Sequence, residues 1–173
     1  MDSEERRAYI SRRLESAEDR VRGMELAKVC QVSRQVIVGD VALLRAKGMD
    51  IISTPRGYYV KKSAKKGIFH TFVCCHEAKD TGKELFGIVR SGGKVHNVTV
   101  EHEIYGDLVG QLDIETEKDV EHFLTRVKET GASLLSTISG GIHTHLVETQ
   151  TEEDMKAVED TLRRLGILYE NKD

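Results

Sequence analysis

Tryptophan is absent from this 173-residue chain, there is one proline, and Tyr and Phe together number nine. So few aromatics argue against a stacking platform for single-stranded nucleic acid. No apolar run approaches the ~20 residues that a membrane span needs. Residues 1–7, MDSEERR, lack the apolar stretch of a secretory signal. Three cysteines, Cys30, Cys74 and Cys75, cannot all pair with one another, and adjacent Cys74 and Cys75 read as reduced thiols in an apolar strand. A reducing, cytoplasmic setting is the expectation, with no membrane partner. A hydrophobic content of 39% beside a single proline indicates a folded chain.

What is present is unevenly distributed. The formal charge of −3 conceals a split. Residues 1–66 carry 15 basic and 9 acidic side chains; residues 67–173 carry 11 and 20, together with all seven histidines. The length permits two small domains, and the asymmetry of charge favours two with different partners. The expected division is a DNA-binding domain over 1–66 and a metal-, effector- and dimer-forming domain over 67–173.

In the basic part, residues 2–16 place Ala8, Ile10 and Leu14 among charges, as in a surface helix with acidic residues in its first turn. A second helix fits 24–30. Gln31-Val32 makes a short turn, and Ser33 is a suitable N-cap for a third helix over 34–47, stopped by Gly48. Two short strands, 50–53 and 57–60, flank a turn at Pro55 and Gly57. This is the layout of a winged helix-turn-helix, whose third helix enters the major groove with its N-terminal residues nearest the bases. Arg34 can fork to guanine and Gln35 to adenine. Ser33 could touch a phosphate as well as cap. Arg56 at the wing tip could enter a minor groove or meet the backbone, while Arg45, Lys47 and the Lys61/Lys62/Lys65/Lys66 cluster are expected phosphate contacts. The segment VSRQVIVGDVALLRAKGMDIISTPRGYYV resembles the winged helix-turn-helix of bacterial repressors related to the biotin-repressor DNA-binding domain. Gly39 departs from that pattern, which has a longer side chain there; a close backbone approach is the expected reason for it.

From residue 68 the pattern predicts β-α-β-β-α-β-β-α-β. Strands are expected at 68–75, 94–100, 105–114, 134–138, 142–148 and 167–169, and helices at 77–89, 116–130 and 151–165. The class is α+β, a sandwich with helices on one face of a mostly antiparallel sheet. His143 and His145, two apart on a strand, project from the same face. His76 stands at a strand-to-helix junction and Glu84 eight residues later, about 12 Å along a continuous helix. The two can share an ion only if the chain bends, and Asp80-Thr81-Gly82 permits a later helix start. Three histidines and a glutamate suit zinc, nickel or iron better than calcium or magnesium. His70, His96, His102 and His122 read as surface or satisfied core residues.

The segments HTFVCCHEAKDTGKEL and SGGIHTHLVET, and the chain as a whole, resemble the niacin-responsive repressors of NAD biosynthesis. In that family a three-histidine (3H) domain follows a winged helix. The resemblance implies that His76, Glu84, His143 and His145 bind one divalent transition metal per chain, nickel or zinc. It implies nicotinic acid as corepressor, a homodimer, an operator in double-stranded DNA, and a C-terminal fold similar to the phosphocarrier HPr. The effector pocket is expected beside the metal, its side chains unassigned. Two alternatives stand beside this non-enzymatic reading. One is a repressor whose signal is the metal itself. The other is a metal-dependent hydrolase fused to a DNA-binding domain, with Glu148 as the candidate base although it lies on the opposite strand face.

Overall fold

The computed structural model describes residues 1–61 and 67–170. Lys62, Lys65 and Lys66, expected above as phosphate contacts, lie outside the described residues. The chain divides into two compact units, residues 1–64 and 65–173.

The first unit is a three-helix head with a hairpin. Helix α1 (Ser3–Ser16) starts at a capping box in which Asp2 accepts from the Glu4 and Glu5 amides and the Glu5 side chain answers. Helix α2 (Gly23–Cys30) ends at Gln31, whose left-handed backbone (φ 55°) turns the chain sharply into α3 (Arg34–Ala46). Ser33 caps α3 by accepting from the Val36 amide. Strands β1 (Ile51–Thr54) and β2 (Gly57–Val60) pair antiparallel. Gly57 (φ 133°) is required at their turn, because a Cβ there would lie 2.6 Å from the Val21 carbonyl oxygen. Ile10, Leu14, Leu26, Ile37, Val41 and Tyr58 form this unit's own core. Asp40, buried on α3, is held by the fork of Arg6 and by Arg7 from α1, which fixes the angle at which α3 is presented.

The second unit is a four-stranded antiparallel sheet with helices packed on it. Its strands are β3 (Ile68–Cys75), β4 (Lys94–His102), β5 (Gly106–Ile114) and β6 (Ile142–Thr149), in the order β3-β6-β4-β5. Helices α4 (Thr81–Arg90), α5 (Glu117–Thr130) and α6 (Glu152–Arg164) follow β3, β5 and β6 respectively. Phe72, Leu85, Ile88, Val95, Val120, Val147, Val158 and Leu162 build the core between helices and sheet. The architecture is the α+β class expected.

Three local expectations need correction. Residues 134–138 are not a strand: Leu135–Thr137 form a 3-10 turn. Gly140 and Gly141 both have positive φ, and the Gly141 amide donates back to the Ser136 carbonyl, so the segment curls instead of extending. Residues 167–169 contribute a single bridge, Leu168 to Cys74, rather than a strand. The helix expected from 77 begins as a 3-10 turn, Ala78–Asp80, and becomes α-helical only at Thr81.

Candidate functional site

Period-2 geometry puts His143 and His145 on the buried face of β6, with Cys74 of β3 directly across from His143 and Phe72 across from His145. The 3-10 turn after β3 supplies the bend required between His76 and Glu84. It brings Glu84, on the first turn of α4, under the same face. All four residues meet. Glu84 Oε1 lies 2.9 Å from His145 Nε2, and Oε2 lies 2.9 Å from both His143 Nε2 and His76 Nε2. The Glu84 side chain is 1% exposed and the three imidazoles no more than 4%.

The far nitrogen of each ring decides what this cluster can do. His76 Nδ1 is 2.7 Å from the Glu77 carbonyl, His143 Nδ1 is 2.8 Å from the Gly141 carbonyl, and His145 Nδ1 is 2.7 Å from the Asn97 carbonyl. A carbonyl only accepts, so each Nδ1 carries the proton. In the neutral ring each Nε2 then presents a lone pair. Three lone pairs aimed at a carboxylate, itself acceptor-only, repel one another unless positive charge lies among them. A divalent cation meets that need, and ring N–H groups tied to backbone carbonyls are the usual support of metal-bound imidazoles. His76 Nε2 also lacks a hydrogen-bond partner: it is near Glu84 but out of line. The donor set therefore fits a transition metal held by three Nε2 atoms and one carboxylate.

Electrostatics agree. Burial opposes ionisation of Glu84, yet positive charge on the imidazole side, at His145, His143 and His76, outweighs it and holds its pKa well below the usual carboxylate range. The buried Cys74 thiol is pushed far up, by burial first and then by the Glu84 charge beside it. Cys74, Glu84 and His143 offer ligand atoms within 4.8 Å of one another, so Cys74 borders the centre although its spacing gave no sign of this.

Asn97 was equally hidden. Strand β4 pairs with β6 through Val95–Val147 and then Thr99–Thr144, so β4 carries one extra residue between them. That bulge releases the Asn97 carbonyl to the His145 ring, while Asn97 Oδ1 accepts from the Leu146 amide. Beside the centre lies a cavity of about 220 Å³, walled by Leu85, Val98, Leu112, Phe123, Val127 and Leu135 and reaching His76, Glu84, His143 and His145. The remaining histidines lie elsewhere. His96 Nε2 is 2.7 Å from Glu148 Oε2, the His70 ring lies tilted against Phe72, and His102 Nδ1 accepts from the Ile104 and Tyr105 amides. Glu148 is thus engaged with His96 on the opposite face from the centre.

In the head, Arg34 and Gln35 are exposed at the N-terminal end of α3, next to the Ser33 cap. Gly39 is exposed on α3, with nothing within 4 Å of where a Cβ would stand, so no contact inside the chain demands glycine there. Arg45 also has a role within the head. Its Nε donates to the Ile51 carbonyl at 2.7 Å and a terminal nitrogen to Ser53 Oγ at 2.5 Å, which ties α3 to the hairpin. Arg56 at the wing tip lies 3.7 Å from Asp19.

Residues 69–171 match the 3H domain, and residues 6–59 match the HTH domain. The chain belongs to the 3H-domain family of helix-turn-helix transcription repressors. It is 38% identical over 167 residues to the probable transcription repressor NiaR of Thermotoga maritima, covering 96% of this chain and 95% of that one. It is 36% identical over 161 residues to the transcription repressor NadR of Bacillus subtilis, covering 91% and 89%. As a 3H-domain repressor it is a regulator rather than an enzyme, which sets aside the hydrolase reading. Among the described residues no helix is long and apolar enough to cross a membrane.

Proposed function

We propose that this protein represses genes of NAD biosynthesis and niacin uptake. Nicotinic acid is its corepressor, and it acts as a homodimer with one divalent transition metal, nickel or zinc, per chain. The observation that carries the reading is the convergence of three Nε2 lone pairs and the Glu84 carboxylate at the end of an apolar cavity. A cavity of about 220 Å³ is below the ~300–1,000 Å³ of drug-sized pockets. It exceeds the ~150 Å³ that holds a benzene ring. One aromatic ring with a small acidic substituent suits that space; a dinucleotide does not. When bound, the ion supplies positive charge toward which a carboxylate turns. His76, Glu84, His143 and His145 hold it, and the apolar walls take the ring. The cavity also favours an organic effector over the ion alone as signal, since an ion sensor needs no such space.

On the DNA side, Arg34 and Gln35 face base edges, and Ser33 reaches a phosphate. Arg56 and the remaining donors of Arg45 follow the backbone. The bare surface at Gly39 admits close approach of the duplex. The test is elemental analysis of the purified protein, with operator binding titrated separately by metal and by nicotinic acid. One metal per chain and an operator affinity that rises with nicotinic acid are expected. A response to metal alone, with none to nicotinic acid, would replace this reading with an ion sensor.

A further inference from the structure

Among the described residues, two buried side-chain polar atoms have no hydrogen-bond partner, His76 Nε2 and Thr81 Oγ1. Both residues line the same cavity. The first is accounted for by the three-histidine centre; the second is not. Thr81 opens α4 three residues before Glu84, so the two side chains share a helix face. It is 8% exposed, and its hydroxyl makes no capping bond. A buried hydroxyl without a partner is destabilising. Nothing in the packing requires an oxygen there, because valine has the same shape.

We infer that Thr81 is a specificity-determining residue of the effector pocket, its hydroxyl donating to an acceptor atom in the ring of a single-ring aromatic acid. This rests on the effector site proposed above. The acid's charge belongs at the cationic end of the cavity, whereas a neutral hydroxyl among apolar walls suits a neutral acceptor such as a pyridine nitrogen. The residue thereby favours heteroaromatic acids over carbocyclic ones. A site built to hydrogen-bond its ligand rejects an analogue lacking the acceptor more strongly than an apolar wall could.

Nicotinic acid and benzoic acid, titrated calorimetrically into the metal-loaded full-length protein, separate the two classes. The wild type is expected to prefer nicotinic acid by about 10-fold or more. Thr81→Val should bring nicotinic acid down to the benzoic acid level and leave benzoic acid unchanged. Thr81→Ser should restore the preference, with metal content equal in all three proteins. Ligand-free Thr81→Val should melt no lower than the wild type, since only an orphaned hydroxyl is removed. A Val variant that keeps the preference overturns the inference, as does one that melts lower without ligand, because its hydroxyl would then be serving the fold. If the wild type binds neither acid, the effector assignment itself fails and Thr81's role falls with it.

Discussion

Each imidazole of the centre is oriented before any ion arrives. Its Nδ1 proton is committed to a backbone carbonyl, which leaves Nε2 as the only nitrogen that can serve as a ligand. Removing two of the three rings should therefore abolish coordination rather than redistribute it. His143→Ala combined with His145→Ala is expected to purify without metal, by elemental analysis, while binding non-specific DNA as the wild type does. A full equivalent of metal in that protein would refute the ligand set. The converse holds at Arg34, which is exposed at the start of α3 and far from any role in the core. Arg34→Ala should weaken specific operator binding by about 1–3 kcal/mol, the scale of one bidentate base contact, with metal content unchanged.

At the scale of elements, the site depends on a turn and a bulge as much as on its ligands. Gly141 (φ 96°) accepts from the His143 ring through its carbonyl, and a Cβ on it would lie 2.6 Å from the His76 carbonyl oxygen. Gly141→Ala should therefore weaken metal binding by at least 10-fold in a competition titration, although it alters no ligand; unchanged affinity would mean that the turn adapts freely. This is also where sequence legibility divides. The His143/His145 pair was visible because strand period alone fixes the face of both rings, and the bend before Glu84 was signalled by Asp80-Thr81-Gly82. The Asn97 carbonyl was invisible, because a bulge is a mismatch between two strands and leaves no trace in either one alone. Leu134 and Leu135 misled for a related reason. A short apolar run reads equally well as strand or as cavity wall, and only the chain reversal at Gly140-Gly141 decides. The tie from Arg45 to the hairpin was equally hidden, because charge patterning records composition, not the carbonyl of Ile51 that its guanidinium finds.

For the whole molecule, the proposed function makes the uneven charge a division of labour between a basic DNA-binding head and an acidic effector-binding unit. Repression controlled by an effector requires that the two be linked, and linkage in binding is reciprocal. If nicotinic acid raises operator affinity by some factor, typically ~5–150-fold, operator DNA must raise nicotinic acid affinity by the same factor. Neither unit needs to touch the other's ligand for this to hold. The effector need only bind the DNA-competent arrangement more tightly than the alternative. In a two-fold dimer that arrangement places the heads on half-sites about 34–36 Å apart or a multiple of it. Calorimetric titration of nicotinic acid into the metal-loaded protein, free and saturated with operator, measures the factor from one side. Operator binding with and without nicotinic acid measures it from the other. Equal factors are expected, and His143→Ala with His145→Ala should reduce both to unity together. A factor seen from the DNA side alone would mean that nicotinic acid acts on the duplex or on aggregation rather than through the sensor.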